Sequence, residues 1–240
     1  MKKGMLLILC LVLCTWAIGA FASSLPTAQE LYEQYPVPDV TLTQDPSTDP
    51  LLTLVNKSNK LPWDFVPALT NPGVQAKKDV KIEMQPEAAM ALFDLFSAAK
   101  ADGLTLVAIS AYRSYATQKA IYQRSVDKNG EAYASLASAK AGKSEHQLGL
   151  AADISCDAIK LALNKKFSAT KEGKWLYEHC AEYGFIIRYK TEWTKITGYK
   201  GEPWHIRYVG KDHAQVIAKL NVPYETYMAY LQLVWDQTNH

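Results

Sequence analysis

The run Ser144-Glu145-His146-Gln147-Leu148-Gly149-Leu150-Ala151-Ala152-Asp153-Ile154-Ser155 decides how the rest of the chain is read. Leu148, Leu150, Ala152 and Ile154 alternate with Gly149, Ala151, Asp153 and Ser155, the period-2 pattern of a half-buried strand. Asp153 then sits on the face opposite the leucines, among small residues that leave room around its carboxylate. An ionised carboxylate in such a segment is costly unless it is paired or coordinates a metal. His146 brings a second ligand type into the same short run, so the two together raise the question of a metal site.

Upstream of this run, Pro86 to Lys100 reads as a helix. Its apolar stripe is Met90, Leu92, Phe93, Leu95, Phe96 and Ala99, and Gly103 follows as a stop. Leu104 to Ser110 is β-rich and apolar, which predicts a central strand. Ser114 is placed to cap a helix from Tyr115 to about Val126, closed by Asn129-Gly130, and Glu131 to Ala141 continues as helix. Downstream, a helix is expected over Glu172 to Tyr183, stopped by Gly184, and strands over Phe185 to Tyr189 and Trp204 to Val209. Helices over Lys211 to Leu220 and Tyr224 to Trp235 complete the chain. The two element types mix without regular alternation. That favours an α+β fold, a small central antiparallel sheet flanked by helices.

The chain divides into three parts. Residues 1–22 have a basic start at Lys2 and Lys3, an apolar run from Met5, and a small-x-small site at Ala20-Phe21-Ala22, the pattern of a secretory signal peptide. The apolar stretch is short for a retained anchor, and Leu13 before Cys14 is too bulky for a lipoprotein site. Export to the outer face of the envelope, or secretion, is therefore expected. Residues 23–50, punctuated by Pro36, Pro38, Pro46 and Pro50, read as a Pro/Thr/Asp-rich tether or loosely packed arm. Residues 51–240 form the domain. Loss of the leader takes the formal charge from +2 to neutral, which argues against nucleic acid or an acidic membrane as the main partner. Cys156 and Cys180 remain as a pair, and in an exported chain an even pair reads as a disulfide worth about 3 kcal/mol. Zinc ligation by the two is the alternative, weakened by the lack of a CxxC spacing.

A third metal-ligand candidate, His205, lies in Gly201-Glu202-Pro203-Trp204-His205-Ile206-Arg207-Tyr208. Two histidines and one carboxylate suit zinc and leave a fourth position for water. His179, His213 and His240 read as ordinary polar residues. Glu202 could exchange a proton with zinc-bound water. On a regular strand, positions three apart face opposite sides, so irregular backbone at Glu202-Pro203 is predicted to swing that carboxylate toward the metal. On spacing alone a surface glutamate in a loop serves equally well. Arg113, just before a helix N-terminus, would suit an anion, and Gln118 one turn later could add a neutral donor. The other reading of Arg113 is a solvated surface side chain.

The segments Tyr112-Arg113-Ser114-Tyr115 through Gln118, Ser144 through Asp153, and Glu202-Pro203-Trp204-His205 together resemble the VanY-type zinc D-alanyl-D-alanine carboxypeptidases of the LAS fold. The similarity runs from about Leu51 to Gly210. It implies His146, Asp153 and His205 as ligands of one zinc ion and Glu202 as catalytic acid/base. It further implies that Arg113 binds the substrate's terminal carboxylate, with Gln118, Ser144 and Trp204 as further substrate contacts. The implied partner is a peptidoglycan stem peptide ending in D-Ala-D-Ala, met by a monomeric enzyme. A D-Ala-D-Ala dipeptidase or a peptidoglycan endopeptidase would use the same ligands, and a non-catalytic wall-binding module would keep the fold. No Ser-x-x-Lys or Gly-x-Ser-x-Gly run supports a serine mechanism.

Overall fold

The computed structural model describes residues 25–239. The expected signal peptide, 1–22, lies outside the described residues. In chain order the elements are α1 (Ala28–Gln34), α2 (Pro86–Ala101), β1 (Val107–Ser110), α3 (Tyr115–Asn129), α4 (Glu131–Ala137) and β2 (Ala151–Ser155). They continue with α5 (Lys171–His179), β3 (Phe185–Tyr189), α6 (Thr194–Thr197), β4 (Glu202–Tyr208), α7 (Lys211–Leu220) and α8 (Tyr224–Asn239), with short 3-10 turns between. The strands form one antiparallel sheet in the order β1-β2-β4-β3, so the architecture is α+β around a small sheet.

The sheet is two-sided in chemistry. Ladder partners share a face, and alternate residues swap faces. Ala152, Ile154, Ile187 and Ile206 point one way, into a core completed by Leu92, Leu95, Phe96 and Ala99 of α2. The other face carries Asp153, His205, Arg207 and Arg188, with Ile186 joining a second core built from α7 and α8. Both faces are covered. β2 is buried at every position, where alternation predicts a half-buried strand, because the Glu145–Leu148 turn and the loop at Ala162 cover its polar side.

Several expectations change in detail. The Leu104–Ser110 segment forms a strand only from Val107, and β1 is an edge of the sheet rather than its centre. Met90 and Phe93 of the expected stripe face outward, 69% and 51% exposed, while Ala88, Ala89 and Ala91 take their places in the core. The Glu172–Tyr183 helix ends at His179 and tightens into a 3-10 turn, and the one after Glu131 stops at Ala137.

Residues 25–50 hold α1 and a 3-10 turn at Pro46–Thr48. Thr27 and Glu30 close a capping box at the start of α1. Leu31 is buried in the α7/α8 core, and Tyr230 donates its hydroxyl to the Tyr35 carbonyl at 2.8 Å. No disulfide forms: Cys156 and Cys180 are both free thiols, buried in the α2-side core. A buried thiol behaves there as a small apolar group. Burial pushes the Cys180 thiol up to about 12, far from a reactive thiolate.

Candidate active site

The run that opened the sequence reading folds as a 3-10 turn, Glu145–Leu148, followed by β2. Gly149 ends the turn in the left-handed region at φ +71, and a Cβ there would meet Leu69 at 3.0 Å and Pro67 at 3.2 Å. Only glycine serves both needs. The turn lifts His146 back over the polar face of the sheet, toward Asp153. His205 reaches the same point by pairing with Asp153 across the β2–β4 ladder. Arg113 is tied in by its backbone N–H, which donates to the His146 carbonyl at 3.1 Å, and the Ser114 hydroxyl caps α3 behind it.

The Glu202 end of β4 is irregular. Ile187 faces Ile206 but Tyr189 faces Glu202, so β4 spends extra residues over this stretch. Gly201, just before it, lies against the Thr191 backbone, where a Cβ would stand 2.8 Å from the nitrogen. This bulged entry brings Glu202 onto the same cavity as His205.

That cavity, of about 310 Å³, is lined by Arg113, Gln118, Ser144, His146, Asp153, Glu202, Trp204 and His205, all the site residues expected from sequence other than the cysteines. His146 Nε2 is 3.4 Å from Asp153 Oδ2, and His205 Nδ1 is 3.3 Å from Asp153 Oδ1. One ligand atom from each of the three residues falls within a 4.8 Å cluster. The Arg113 guanidinium stands 3.9 Å from Asp153 Oδ2 at the rim. Gln118 donates to the Ala139 carbonyl at 2.6 Å, leaving its Oε1 buried without a partner.

Buried polar atoms are normally satisfied. Among the described residues, most of the buried side-chain polar atoms without a partner lie here: His146 Nε2, Asp153 Oδ1, Gln118 Oε1 and Arg113 Nε. His146 Nδ1 contacts the Ala111 carbonyl at 2.5 Å, which fixes its proton on that nitrogen and leaves Nε2 as a free lone pair. An imidazole and a carboxylate with unspent lone pairs, facing a second imidazole, fit a divalent zinc ion.

Electrostatics set each group's state. Burial pushes the His146 imidazole down to about 4, with Arg113 adding to the effect, so it is neutral at pH 7. Burial disfavours charge on Asp153 too, but the two imidazoles and Arg113 outweigh it and hold the carboxyl well below its ordinary range. For His205 burial is overcome by Asp153 and Glu145, which raise it to about 9. Burial carries Glu202 up to about 7, with Asp153 adding to it against His205 and Arg113. A carboxyl near neutrality can both take and give a proton.

The model of the family described as D-alanyl-D-alanine carboxypeptidase (VanY) matches residues 81–211, more than half of the chain and all of this site. The chain belongs to the VanY family. YodJ of Bacillus subtilis strain 168 is 45% identical over 181 residues, covering 74% of this chain and 66% of that protein. A D-alanyl-D-alanine carboxypeptidase of Enterococcus faecalis is 36% identical, covering 74% and 65%. This chain therefore spans just under two thirds of the length of these relatives. Among solved structures, the LdcB LD-carboxypeptidase is 44% identical with a TM-score of 0.70, covering 77% of this chain and 87% of that one. A VanY D,D-pentapeptidase variant solved with Zn(II) is 33% identical with a TM-score of 0.64, covering 75% and 99%. The small antiparallel sheet with its helices is thus the LAS peptidase fold.

Three further residues at the site carried no role in the sequence reading. Tyr189 and Tyr199 line the cavity, and Glu145 lies beneath His205 with its Oε2 3.3 Å from His205 Nε2. The signal for Glu145 was indirect. Arg188 and Arg207 sit in apolar strands, and each needs a buried anion to be tolerated there.

Proposed function

We propose that this protein is an exported, monomeric zinc D,D-carboxypeptidase that removes the terminal D-Ala from peptidoglycan stem peptides ending in D-Ala-D-Ala. The observation that carries this reading is the set of unspent lone pairs on His146 and Asp153, facing His205 in a cavity that also holds Glu202 and Arg113. VanYB, a structural relative at 33% identity, was solved with D-alanine-D-alanine, which supports the substrate class.

His146, Asp153 and His205 would hold one zinc ion, which when bound polarises a carbonyl and lowers the pKa of water to about 7. Glu202 then accepts the proton of the attacking water and delivers it to the departing D-Ala amine. Its near-neutral pKa suits both transfers. Arg113, with an Nε left unpartnered, binds the free carboxylate of the leaving residue and so confines cleavage to chain ends. Gln118 Oε1 and Ser144 offer polar contacts to the same residue, and Trp204 forms an apolar wall.

A second reading has its own support. The LdcB neighbour is named an LD-carboxypeptidase at 44% identity, and the same machinery could cut after an L residue in a tetrapeptide stem. Incubating the protein with pentapeptide and tetrapeptide stems separately decides between them. Release of D-Ala from the pentapeptide alone supports the D,D reading; release from the tetrapeptide alone replaces it with the L,D one. Loss of a dipeptide would point to a dipeptidase.

A further inference from the structure

Glu145 is buried completely, on a side chain that the proposed chemistry does not use. Its Oε1 accepts from Arg188 Nε at 2.7 Å and Arg207 Nη1 at 3.1 Å. Arg188 is also held in a bidentate pair by Glu225 of α8, at 2.6 and 2.9 Å, and Arg207 Nη2 donates to the Leu51 and Thr53 carbonyls. Two arginines and two glutamates thus close a neutral buried cluster. Such a cluster costs desolvation, and a hydrophobic replacement is often as stable. Stability alone is therefore a weak reason for it to exist beneath a metal-ligating face.

The cluster meets a proposed metal ligand through Glu145 Oε2, 3.3 Å from His205 Nε2. A carboxylate is an acceptor only, so the nitrogen facing it must carry the proton. In the neutral ring, the form that can bind a metal, His205 Nδ1 is then left bare on the side of Asp153 Oδ1. The ring is packed in place by His146, edge-to-face at 4.9 Å, and by Tyr189 at 5.0 Å between ring centres. We infer that Glu145 is a positioning residue: anchored by Arg188 and Arg207, it fixes the His205 tautomer that presents Nδ1 to the metal. His146 achieves the same end with the Ala111 carbonyl, so the two histidines are oriented by different acceptors and through opposite ring nitrogens.

The inference rests on the metal-site reading and sharpens it, and Glu145→Gln tests it. Glutamine has one acceptor oxygen, which the two arginines will claim. Its amide nitrogen then faces His205 Nε2 and favours the proton on Nδ1, the wrong tautomer. Glu225→Gln makes the same charge change in the same cluster without touching His205. Zinc affinity by chelator competition is expected to fall about 10- to 100-fold in E145Q and by no more than a few-fold in E225Q. Equal affinity in wild type and folded E145Q, or an equal loss in both variants, would overturn the assignment. Long-range proton–nitrogen spectra of zinc-loaded wild-type protein give a check that needs no variant. They should show His205 protonated at Nε2, and protonation at Nδ1 would sink the idea. A wild-type protein that binds no zinc at all would instead remove the metal reading itself.

Discussion

Asp153 and His205 are direct ladder partners across β2 and β4, with Oδ1 and Nδ1 3.3 Å apart. Two residues 52 positions apart in the chain are thus held by backbone pairing rather than by a flexible loop. The metal-free contact has a thermodynamic consequence. Asp153 and Glu145 raise His205 to about 9 from an ordinary 6.5, so it is protonated at pH 7, and a metal at Nδ1 must displace that proton. Zinc binding to the metal-free protein at pH 7 should release about one proton, measured by calorimetry in buffers of different ionisation enthalpy. Affinity should climb with pH until about 9 and then level off. The same raised value stabilises the metal-free fold fully below pH 6.5, and that contribution is lost as pH passes 9.

Replacing Glu202 by Gln should leave zinc affinity within a few-fold of wild type while turnover falls by about 10²- to 10⁴-fold, the usual loss for a general acid–base. Metal content and D-Ala release measured on the same sample separate the two. Turnover that survives would remove Glu202 from the proposed mechanism.

Arg113→Met removes the cation but keeps most of the aliphatic stem. Losing a charge-assisted hydrogen bond of about 1.5–3 kcal/mol predicts a 10- to 100-fold drop in kcat/KM for a stem with a free C-terminus. A C-terminally amidated stem should be a poor substrate for wild type and no worse for the variant. A variant that lowers both rates alike would mean that Arg113 acts on the fold instead.

Glu225 is held below its ordinary 4.5, since Arg188 outweighs the effect of burial. A depressed carboxyl pKa contributes stability that is present above the unfolded value and lost as pH falls through the folded one. Stability should therefore fall as pH drops below about 4.5. Removing one partner of a buried pair costs about 3 kcal/mol, so E225Q should be less stable at pH 7 and show a shallower acid dependence. Denaturant midpoints at pH 7 and pH 3 provide the comparison.

Cys156 and Cys180 should resist a thiol reagent in native protein starting at Leu25, which should titrate as two thiols on unfolding without reductant. Fewer than two would reveal a bond between them.

Much of what lines the cavity could be read from the residues, because each motif is local: His146 with Asp153, Glu202 with His205, Arg113 before a helix start. What escaped depends on long-range pairing. The edge position of β1 follows from which strands lie beside β2, and no property of Leu104–Ser110 encodes that. Glu145 has no local signal of its contacts, since its arginines come from two strands more than 40 residues downstream. The seven residues of α1 are too few to form a helix by propensity alone; they hold because Leu31 finds the α8 core. The cysteine pair misled for a related reason. Even numbers suggest a bridge, but packing at both positions needs only a small apolar group.

The contact between α1 and α8 has a practical side. An expression boundary placed at residue 51, where apolar density rises, would strip Leu31 from the core and open the face bearing Tyr230, Leu231 and Val234 to water. Protein trimmed there should self-associate, even though every residue lining the cavity is still present. Starting at Leu25 keeps the helix that seals the far end of the molecule.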